Sequence, residues 1–194
     1  GWGGVSRFVV MVLSGMEERA RETLAAELEG VDYSVHAGGE TRQESVSRGL
    51  AEVGDEADLV LVHDASRPVL SARMIGRVAA AARDHGAAVP VLQATDSLAR
   101  IRDEAIESAI PRDRVVGIQT PQAFRREILV KAFEAAAAEG RTATDESALV
   151  LAAGFPVRAV EGERWNIKVT YKEDVDIVRS YLSGAALVMP AAGD

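Results

Sequence analysis

The sequence contains no cysteine, only three lysines and no long apolar run among its 194 residues. Without cysteine, a disulfide scaffold, a thiolate metal site and a cysteine nucleophile are all excluded. The longest apolar runs, such as residues 8–13, are far too short to cross a bilayer. No charged and apolar leader opens the chain, so we expect a cytoplasmic protein that does not contact a membrane.

The chain also lacks an excess of positive charge, with a formal net charge of -8. This balance argues against a general nucleic-acid-binding protein, which needs a basic face. It is compatible with a small phosphorylated ligand, because a local cluster of arginines can hold one. The length and a hydrophobic share of 47% allow one domain with a true core, and we expect residues 1–194 to form it.

Short apolar runs typical of strands alternate with stretches typical of helices. Strands are predicted at residues 7–13, 33–37, 58–63, 87–92, 157–160, 166–169 and 185–189. A helix is predicted from Thr120 to Gly140, with proline in its first turn. The alternation predicts an α/β fold with a Rossmann-like, doubly wound, mostly parallel sheet. Residues 97–114 are charged and weakly periodic, which indicates a protruding β-arm.

In such a sheet, ligands bind beyond the carboxyl ends of the strands. The second predicted strand is followed by Gly38, Gly39, Glu40 and Thr41, and then by Arg42 and Ser45. Paired glycines let the backbone approach a ligand closely, and Arg42 and Ser45 offer donors at a helix start that favours anions. The alternative is an ordinary turn with a capping serine.

The third predicted strand ends in the sequence His63-Asp64-Ala65-Ser66-Arg67-Pro68. A carboxylate at the end of a buried strand is costly unless it is paired or binds a cation, and Mg²⁺ prefers such ligands. The alternative is a local ion pair between Asp64 and Arg67. His63 could act as a base, but a histidine at a strand end is more often part of the structure.

Further candidates follow later in the chain: Asp96, Ser97, Arg112, Thr120, Thr144 and Lys168. Lys168 stands out because lysine is rare in this chain and this one lies between Ile167 and Val169. The alternatives are ordinary surface charges, helix caps and a strand lysine that faces solvent.

The order of these motifs resembles one family over about residues 8–182. HDASRP, Asp96-Ser97, QTPQAF, TDESAL and NIKVT succeed one another as in the 2-C-methyl-D-erythritol 4-phosphate cytidylyltransferases of the non-mevalonate isoprenoid pathway. The resemblance implies a nucleotidyltransferase-type fold and transfer of CMP from CTP to a polyol phosphate, methylerythritol 4-phosphate. It also implies a homodimer in which the arms are exchanged.

The resemblance assigns a role to each matching residue. Asp64 is expected to hold Mg²⁺ or another divalent cation, and Arg112 and Lys168 to orient the attacking phosphate during catalysis. The expected CTP-binding residues are Gly39, Glu40, Arg42, Ser45, Ala65, Ala191, Ala192 and Gly193. The expected acceptor-binding residues are Arg67, Asp96, Ser97, Arg112, Thr120, Thr144 and Lys168.

The family's glycine-rich phosphate loop and first helix have no match near the start of this sequence. The family's first strand and the beginning of that loop are instead resembled by residues 185–194, which include the sequence ALVMPAAGD. A rearranged chain, a segment missing from the sequence and an apolar tail that ends in PAAGD by chance are all compatible with this pattern. Alternative functions are a ribitol 5-phosphate cytidylyltransferase, a nucleotidyltransferase for another base and a nucleotide-binding module with impaired catalysis.

Overall fold

The computed structural model describes residues 4–183, which contain nine strands and six α-helices. The strands are β1 (Phe8–Val12), β2 (Tyr33–Ala37), β3 (Leu59–Val62), β4 (Ala87–Gln93), β5 (Leu98–Arg102), β6 (Ala105–Ile110), β7 (Val116–Ile118), β8 (Gln122–Arg125) and β9 (Arg158–Glu161). The helices are α1 (Glu17–Ala25), α2 (Arg42–Ala51), α3 (Ala72–His85), α4 (Arg126–Glu139), α5 (Glu146–Ala152) and α6 (Lys172–Leu182). Within the described range, none of the helices has the length and hydropathy needed to cross a membrane.

The main sheet of the described chain has five strands, in the order β3-β8-β4-β7 with β9 also paired to β4. Strands β3, β4 and β9 run in one direction, because β8 is antiparallel to both β3 and β4 while β9 is parallel to β4. Strands β7 and β8 run the opposite way, so three of the four strand pairs in the described main sheet are antiparallel, which differs from the mostly parallel sheet that we expected. Strands β1 and β2 form a separate parallel pair.

Helices cover both faces of the main sheet. On one face, the apolar side of α3 places Met74 and Val78 against Ala88 and Ala123 of the sheet. On the other, Phe124 packs with residues of α2, α4 and α5. Met74, Phe124, Ala88 and Ala123 are all completely buried, so the sheet is covered on both faces where β4 and β8 pair. The predicted α/β, Rossmann-like class is therefore confirmed.

The helix predicted from Thr120 is wrong at its start. Residues 122–125 form β8, between β3 and β4, and the helix begins only at Arg126. The segment is too short to show a strand period, and its place is decided by pairing along both edges, which is a tertiary property. The strand predicted at residues 166–169 is also absent, and this segment is a loop whose Val169 N–H donates to the Ser66 carbonyl.

The predicted arm is present as the antiparallel hairpin of β5 and β6. Asp103 and Glu104 form its two-residue turn with positive φ values of 48° and 64°, the geometry of turns that match the twist of a hairpin. Ile101 lies opposite Ile106 across the hairpin, and these side chains are 70% and 73% exposed. The arm therefore presents an apolar pair that the rest of the described chain does not cover.

Candidate active site at the carboxyl ends of the strands

The strand directions place the predicted site residues along one edge of the main sheet. Asp64 follows β3, Asp96 and Ser97 follow β4, and Lys168 lies in the loop after β9. Because these three strands run the same way, their carboxyl ends meet at the same edge. Thr120 reaches this edge from the opposite direction, since it precedes the antiparallel strand β8.

Asp64 lies between two cationic side chains. Arg42 Nε donates to Asp64 Oδ1 at 3.0 Å, and Lys168 Nζ lies 3.3 Å from Asp64 Oδ2. Burial by itself would raise the pKa of Asp64, but the nearby Arg42 and Lys168 outweigh burial and hold the pKa below its ordinary value. Asp64 is therefore ionised at neutral pH. Its partners are Arg42 and Lys168, so the alternative pair between Asp64 and Arg67 is wrong.

Arg42 joins Asp64 to a second carboxylate, Glu146. Arg42 Nη1 donates to Glu146 Oε1 at 2.7 Å, and Nη2 donates to Glu146 Oε2 at 2.9 Å. Burial tends to lower the pKa of Arg42, but hydrogen bonds and charge from Glu146 and Asp64 raise it above its ordinary value. All three nitrogens of this guanidinium thus bind carboxylates of the chain itself. The sequence predicts that Arg42 donates hydrogen bonds to CTP, whereas in the structure its contacts are with Asp64 and Glu146.

Thr120 supports Asp64 from the other side. The Asp64 N–H donates to Thr120 Oγ1 at 3.0 Å, and the same oxygen lies 3.0 Å from His63 Nδ1. His63 Nε2 lies 3.0 Å from the Arg67 carbonyl, which can only accept, so Nε2 carries the proton. Thr120 must then donate its hydroxyl proton to Nδ1. Both His63 nitrogens are engaged, as the interpretation of His63 as part of the structure predicts.

The loop that carries Lys168 is fixed by buried amides. Asn166 is fully buried and donates from Nδ2 to the Thr120 backbone carbonyl at 2.8 Å, while the backbone carbonyl of Asn166 accepts from Arg67 Nη1 at 2.8 Å. Gln119 Nε2 donates to the Glu163 carbonyl at 2.9 Å. These contacts tie the Lys168 loop to the start of β8. Arg67, predicted to bind the acceptor, holds this loop through Nη1.

The glycine loop after β2 packs tightly against the start of α2. A Cβ atom at Gly39 would lie 2.2 Å from Glu44 Cβ, and one at Gly38 would lie 2.7 Å from Ser45 Oγ. Ser45 Oγ accepts from the Gly39 N–H at 3.0 Å and donates to the Thr41 carbonyl at 2.9 Å. The close approach to α2 is therefore sufficient to require glycine at both positions. Thr41 is the N-cap, through an oxygen that accepts from the Glu44 N–H.

The remaining predicted residues of the described chain are exposed: Glu40, Ala65, Asp96, Ser97, Arg112 and Thr144. Thr144 directly precedes α5, whose N-cap is Asp145. Arg112 lies in a short 3-10 turn at the base of the arm, and its Nη1 donates to the Thr95 carbonyl. No contact within the described part of the chain joins Arg112 to Asp64. Ala191, Ala192, Gly193 and the strand predicted at residues 185–189 lie outside the described residues.

Sequence reasoning did not single out three residues that organise this site, namely Glu146, Gln122 and Asn166. All three are fully or almost fully buried. The signal was present, since each lies inside a quoted motif, TDESAL, QTPQAF or NIKVT. In the sequence, a polar residue in these motifs is equally compatible with a surface position or a helix cap. Only the fold shows that these three side chains are buried.

The described residues contain no group of three or more histidine, aspartate or glutamate side chains able to hold a metal ion alone. Asp64 offers a single ionised carboxylate, and Glu146 is turned toward Arg42. This donor set fits a Mg²⁺ ion that takes most of its ligands from phosphate oxygens and water, as Mg²⁺ commonly does beside nucleotides.

An α/β sheet covered by helices on both faces, with a charged cluster at the carboxyl ends of its strands, defines the Rossmann-like class of ligand-binding proteins. The sequence model of one family, described as IspD: 2-C-methyl-D-erythritol 4-phosphate cytidylyltransferase, matches residues 2–184. The chain belongs to this family, as the order of its motifs predicts.

Related proteins agree with this assignment. A 2-C-methyl-D-erythritol 4-phosphate cytidylyltransferase of Acidobacterium capsulatum is 44% identical over 153 residues, which cover 76% of this chain and 64% of the relative. A bifunctional enzyme IspD/IspF of Anaeromyxobacter dehalogenans is 44% identical over 184 residues, which cover 92% of this chain and 46% of that protein. The chain thus spans between about half and two thirds of the length of these curated relatives.

Solved structures show the same fold. The 2-C-methyl-D-erythritol 4-phosphate cytidylyltransferase of Thermus thermophilus matches with a TM-score of 0.78 and 33% identity, over 92% of this chain and 98% of that one. The 4-diphosphocytidyl-2C-methyl-D-erythritol synthase of Anaerococcus prevotii matches with a TM-score of 0.83 and 28% identity, over 92% of this chain and 82% of that one.

Proposed function

We propose that this chain transfers CMP from CTP to 2-C-methyl-D-erythritol 4-phosphate and releases pyrophosphate. Family membership over residues 2–184 supports this activity, as does the activity for which the relatives are named. The structural observation that carries the proposal is the ionised Asp64 held between Arg42 and Lys168 at the carboxyl edge of the sheet. That edge is where α/β proteins bind nucleotides.

The reaction requires positioning and charge stabilisation more than covalent chemistry. A phosphate oxygen of the acceptor attacks the α-phosphorus of CTP, a new P–O bond forms, and the bond to the departing pyrophosphate breaks in line. No covalent enzyme intermediate is needed. Two polyanions must come together, so cationic side chains that align them supply most of the catalysis.

Lys168 is the described cation best placed for this role. Its side chain is 48% exposed, so Nζ can contact a ligand while it remains close to Asp64. Nζ is flexible on its aliphatic stem and is a compact charge suited to a phosphate oxygen. In this proposal, Lys168 orients the attacking phosphate and Arg67, Asp96, Ser97, Thr120 and Thr144 complete the acceptor site.

Asp64 is the residue that would hold Mg²⁺. The bound ion would neutralise charge on the CTP phosphates and on the departing pyrophosphate. Arg42 and Lys168 keep the Asp64 carboxylate ionised, and a cation bound there would replace the contact of Lys168 with Oδ2. Gly39, Glu40, Ser45 and Ala65, which lie around the start of α2 and after β3, would line the cytidine side of the site. The parts assigned to Ala191, Ala192 and Gly193 stay predictions.

We propose further that the arm joins two copies of the chain. An isolated two-stranded hairpin is marginally stable in water, and this one exposes the Ile101–Ile106 pair. Arg112 lies at the base of the arm, away from the described contacts of Asp64 in its own chain. Exchange of the arms would allow Arg112 to serve the site of the second copy. The cytoplasmic location likewise stays a prediction.

The activity is tested by pyrophosphate release from CTP with methylerythritol 4-phosphate, in the presence of Mg²⁺. We expect release with this acceptor to exceed release with ribitol 5-phosphate, and CTP to exceed the other nucleoside triphosphates. Preference for ribitol 5-phosphate would contradict the proposed acceptor. CTP binding without turnover on either acceptor would instead support a nucleotide-binding module.

A further inference from the structure

Glu146 is a carboxylate that the proposed reaction does not use, yet it lies directly behind the site. Its side chain is 1% exposed, and its two oxygens bind the two Nη atoms of Arg42 at 2.7 and 2.9 Å. Burial raises the pKa of Glu146, and the hydrogen bonds and charge of Arg42 oppose that rise. Buried ion pairs contribute little net stability, because desolvation offsets their attraction. The pair therefore calls for a role other than stability.

The geometry of the pair restricts how Arg42 can lie. Two parallel N–H···O bonds to one carboxylate fix the plane of a guanidinium as well as its distance. The Nε–H lies in the same plane, and it donates to Asp64 Oδ1 at 3.0 Å. A lysine could not provide this connection, since it lacks a planar arrangement of donors.

Glu146 is itself held by the start of α5. Asp145 Oδ1 accepts from the Ala148 N–H at 3.0 Å, and Asp145 Oδ2 accepts from Gln122 Nε2 at 3.0 Å. Gln122 Oε1 accepts from the Ser147 N–H at 3.0 Å, so β8 fixes the first turn of α5. Gln122 is 1% exposed, so its bond to the Ser147 N–H is buried. A continuous set of contacts thus leads from β8 through Glu146 and Arg42 to Asp64.

We propose that Glu146 is a positioning residue that, through Arg42, orients the Asp64 carboxylate for a divalent cation and the CTP phosphates. This inference rests on the proposed function. Glu146 touches neither substrate in this account. Its effect is to keep the Arg42 plane in the one orientation that directs Nε–H at Asp64.

The substitution that tests this role is E146Q. Glutamine keeps the size of the side chain, but its amide nitrogen faces an Arg42 nitrogen that can only donate, so one of the two bonds is lost. Arg42 can then rotate, and Asp64 loses its fixed partner. We expect the affinity for CTP in the presence of Mg²⁺ to fall about 10- to 100-fold, the range typical of residues that support a metal ligand. The KM for the acceptor should change little.

A matched control is available in E163Q. Glu163 is 6% exposed, lies 3.6 Å from Arg77 Nη2 and accepts from the Ser71 hydroxyl at 2.8 Å. It is therefore a buried carboxylate beside an arginine, without a contact to Asp64 or Arg42. We expect E163Q to lower the melting temperature but to leave CTP binding and its Mg²⁺ dependence unchanged.

Calorimetric titration of CTP into the wild-type chain, E146Q, D64N and the double variant separates positioning from stability. If Glu146 acts through Asp64, E146Q should weaken binding in the wild-type background and have little further effect in D64N. Independent, additive effects in the double variant would overturn the inference. So would an E146Q variant that loses only thermal stability, as E163Q does.

A spectroscopic measurement decides the geometry independently of turnover and CTP binding. The Nε–H of Arg42, assigned by its loss in R42K, should give a protected signal in ¹H–¹⁵N spectra of the wild-type chain and of E163Q. The signal should exchange much faster in E146Q, and its persistence there would overturn the inference. A wild-type chain that does not bind CTP would refute the proposed function, while this signal would still show whether Glu146 fixes Arg42.

Discussion

Lys168 Nζ lies 3.3 Å from Asp64 Oδ2, while Arg42 Nε donates to the other oxygen of the same carboxylate, Oδ1. Arg42 is also paired with the buried Glu146, so two carboxylates balance the positive charges of Arg42 and Lys168. In a chain with a net charge of -8, the further positive charge that a polyphosphate needs would come from a divalent cation at Asp64 rather than from a basic surface. An incoming cation at Asp64 would also release Lys168 toward an acceptor phosphate.

Replacement of Asp64 by asparagine should make the reaction dependent on high Mg²⁺. Asparagine keeps the shape but removes the ionised oxygen on which we expect Mg²⁺ to bind, so the rate should fall far more at limiting than at saturating Mg²⁺. Pyrophosphate release measured over a Mg²⁺ titration checks this. An unchanged Mg²⁺ dependence would remove Asp64 from the metal site.

Replacement of Lys168 or Arg112 by alanine should weaken use of the acceptor more than binding of CTP. Both side chains are assigned to the attacking phosphate, and loss of one such charge-stabilising contact typically lowers kcat by about 100- to 1,000-fold. Steady-state kinetics with each substrate varied in turn distinguish the two sites. A rise confined to the KM for CTP would reverse the assignment.

Replacement of Thr120 by valine should destabilise the protein, whereas serine should be tolerated. Thr120 is 4% exposed, and its hydroxyl accepts from the Asp64 N–H and donates to His63. In T120V the Asp64 N–H loses its acceptor, and a buried donor without a partner lowers the free energy of unfolding by about 1–3 kcal/mol. Chemical denaturation of T120V and T120S measures this cost. Equal stability of the two variants would show that the hydroxyl network contributes nothing.

Replacement of both Ile101 and Ile106 by serine should yield a monomer. These side chains form the exposed apolar pair of the arm, which the proposed dimer would bury. Light scattering coupled to gel filtration measures the mass. L151S serves as the control, because Leu151 is 58% exposed on α5 and outside the arm. A wild-type chain that is already monomeric at high concentration would contradict arm exchange.

Helix α6 should lose stability as the pH falls. Asp174 Oδ2 accepts from the N–H groups of Thr170 and Tyr171 at 2.8 Å, and these bonds hold its pKa below the ordinary value. A group with a lowered pKa contributes stability above the pKa of the unfolded chain, and that contribution is lost as pH falls through the folded value. The stability difference between the wild-type chain and D174A should shrink below about pH 4. A difference independent of pH would contradict this role.

Much of the fold follows from local sequence. The α/β alternation, the arm and the bounds of β2 and β4 agree closely with the ranges predicted from the sequence, because runs of apolar residues between turn residues are local signals. The start of α3 is also fixed locally, since the Ser71 hydroxyl oxygen accepts from the Met74 N–H. The family was also recognisable, since its motifs occur in order along the chain.

Residues 119–125 show where local signals fail. Pro121 and the following residues are compatible with a helix start, but β8 forms there because β3 and β4 pair with both of its edges. The strand prediction for residues 166–169 was wrong in the opposite direction, because a predicted strand proved to be a loop. Its branched residues favour a strand, yet the buried Asn166 binds the Thr120 carbonyl and holds the segment as a loop.

The sequence by itself determined the class of fold, the family and the residue types at the strand ends. Only the tertiary structure decided what those residues contact. It directed Arg42 at Asp64 and Glu146, which lie 22 and 104 positions away along the chain. The physical reason is that a buried carboxylate needs a charged or hydrogen-bonding partner. That partner comes from whichever segment the fold brings close, and separation along the sequence does not reveal which segment that is.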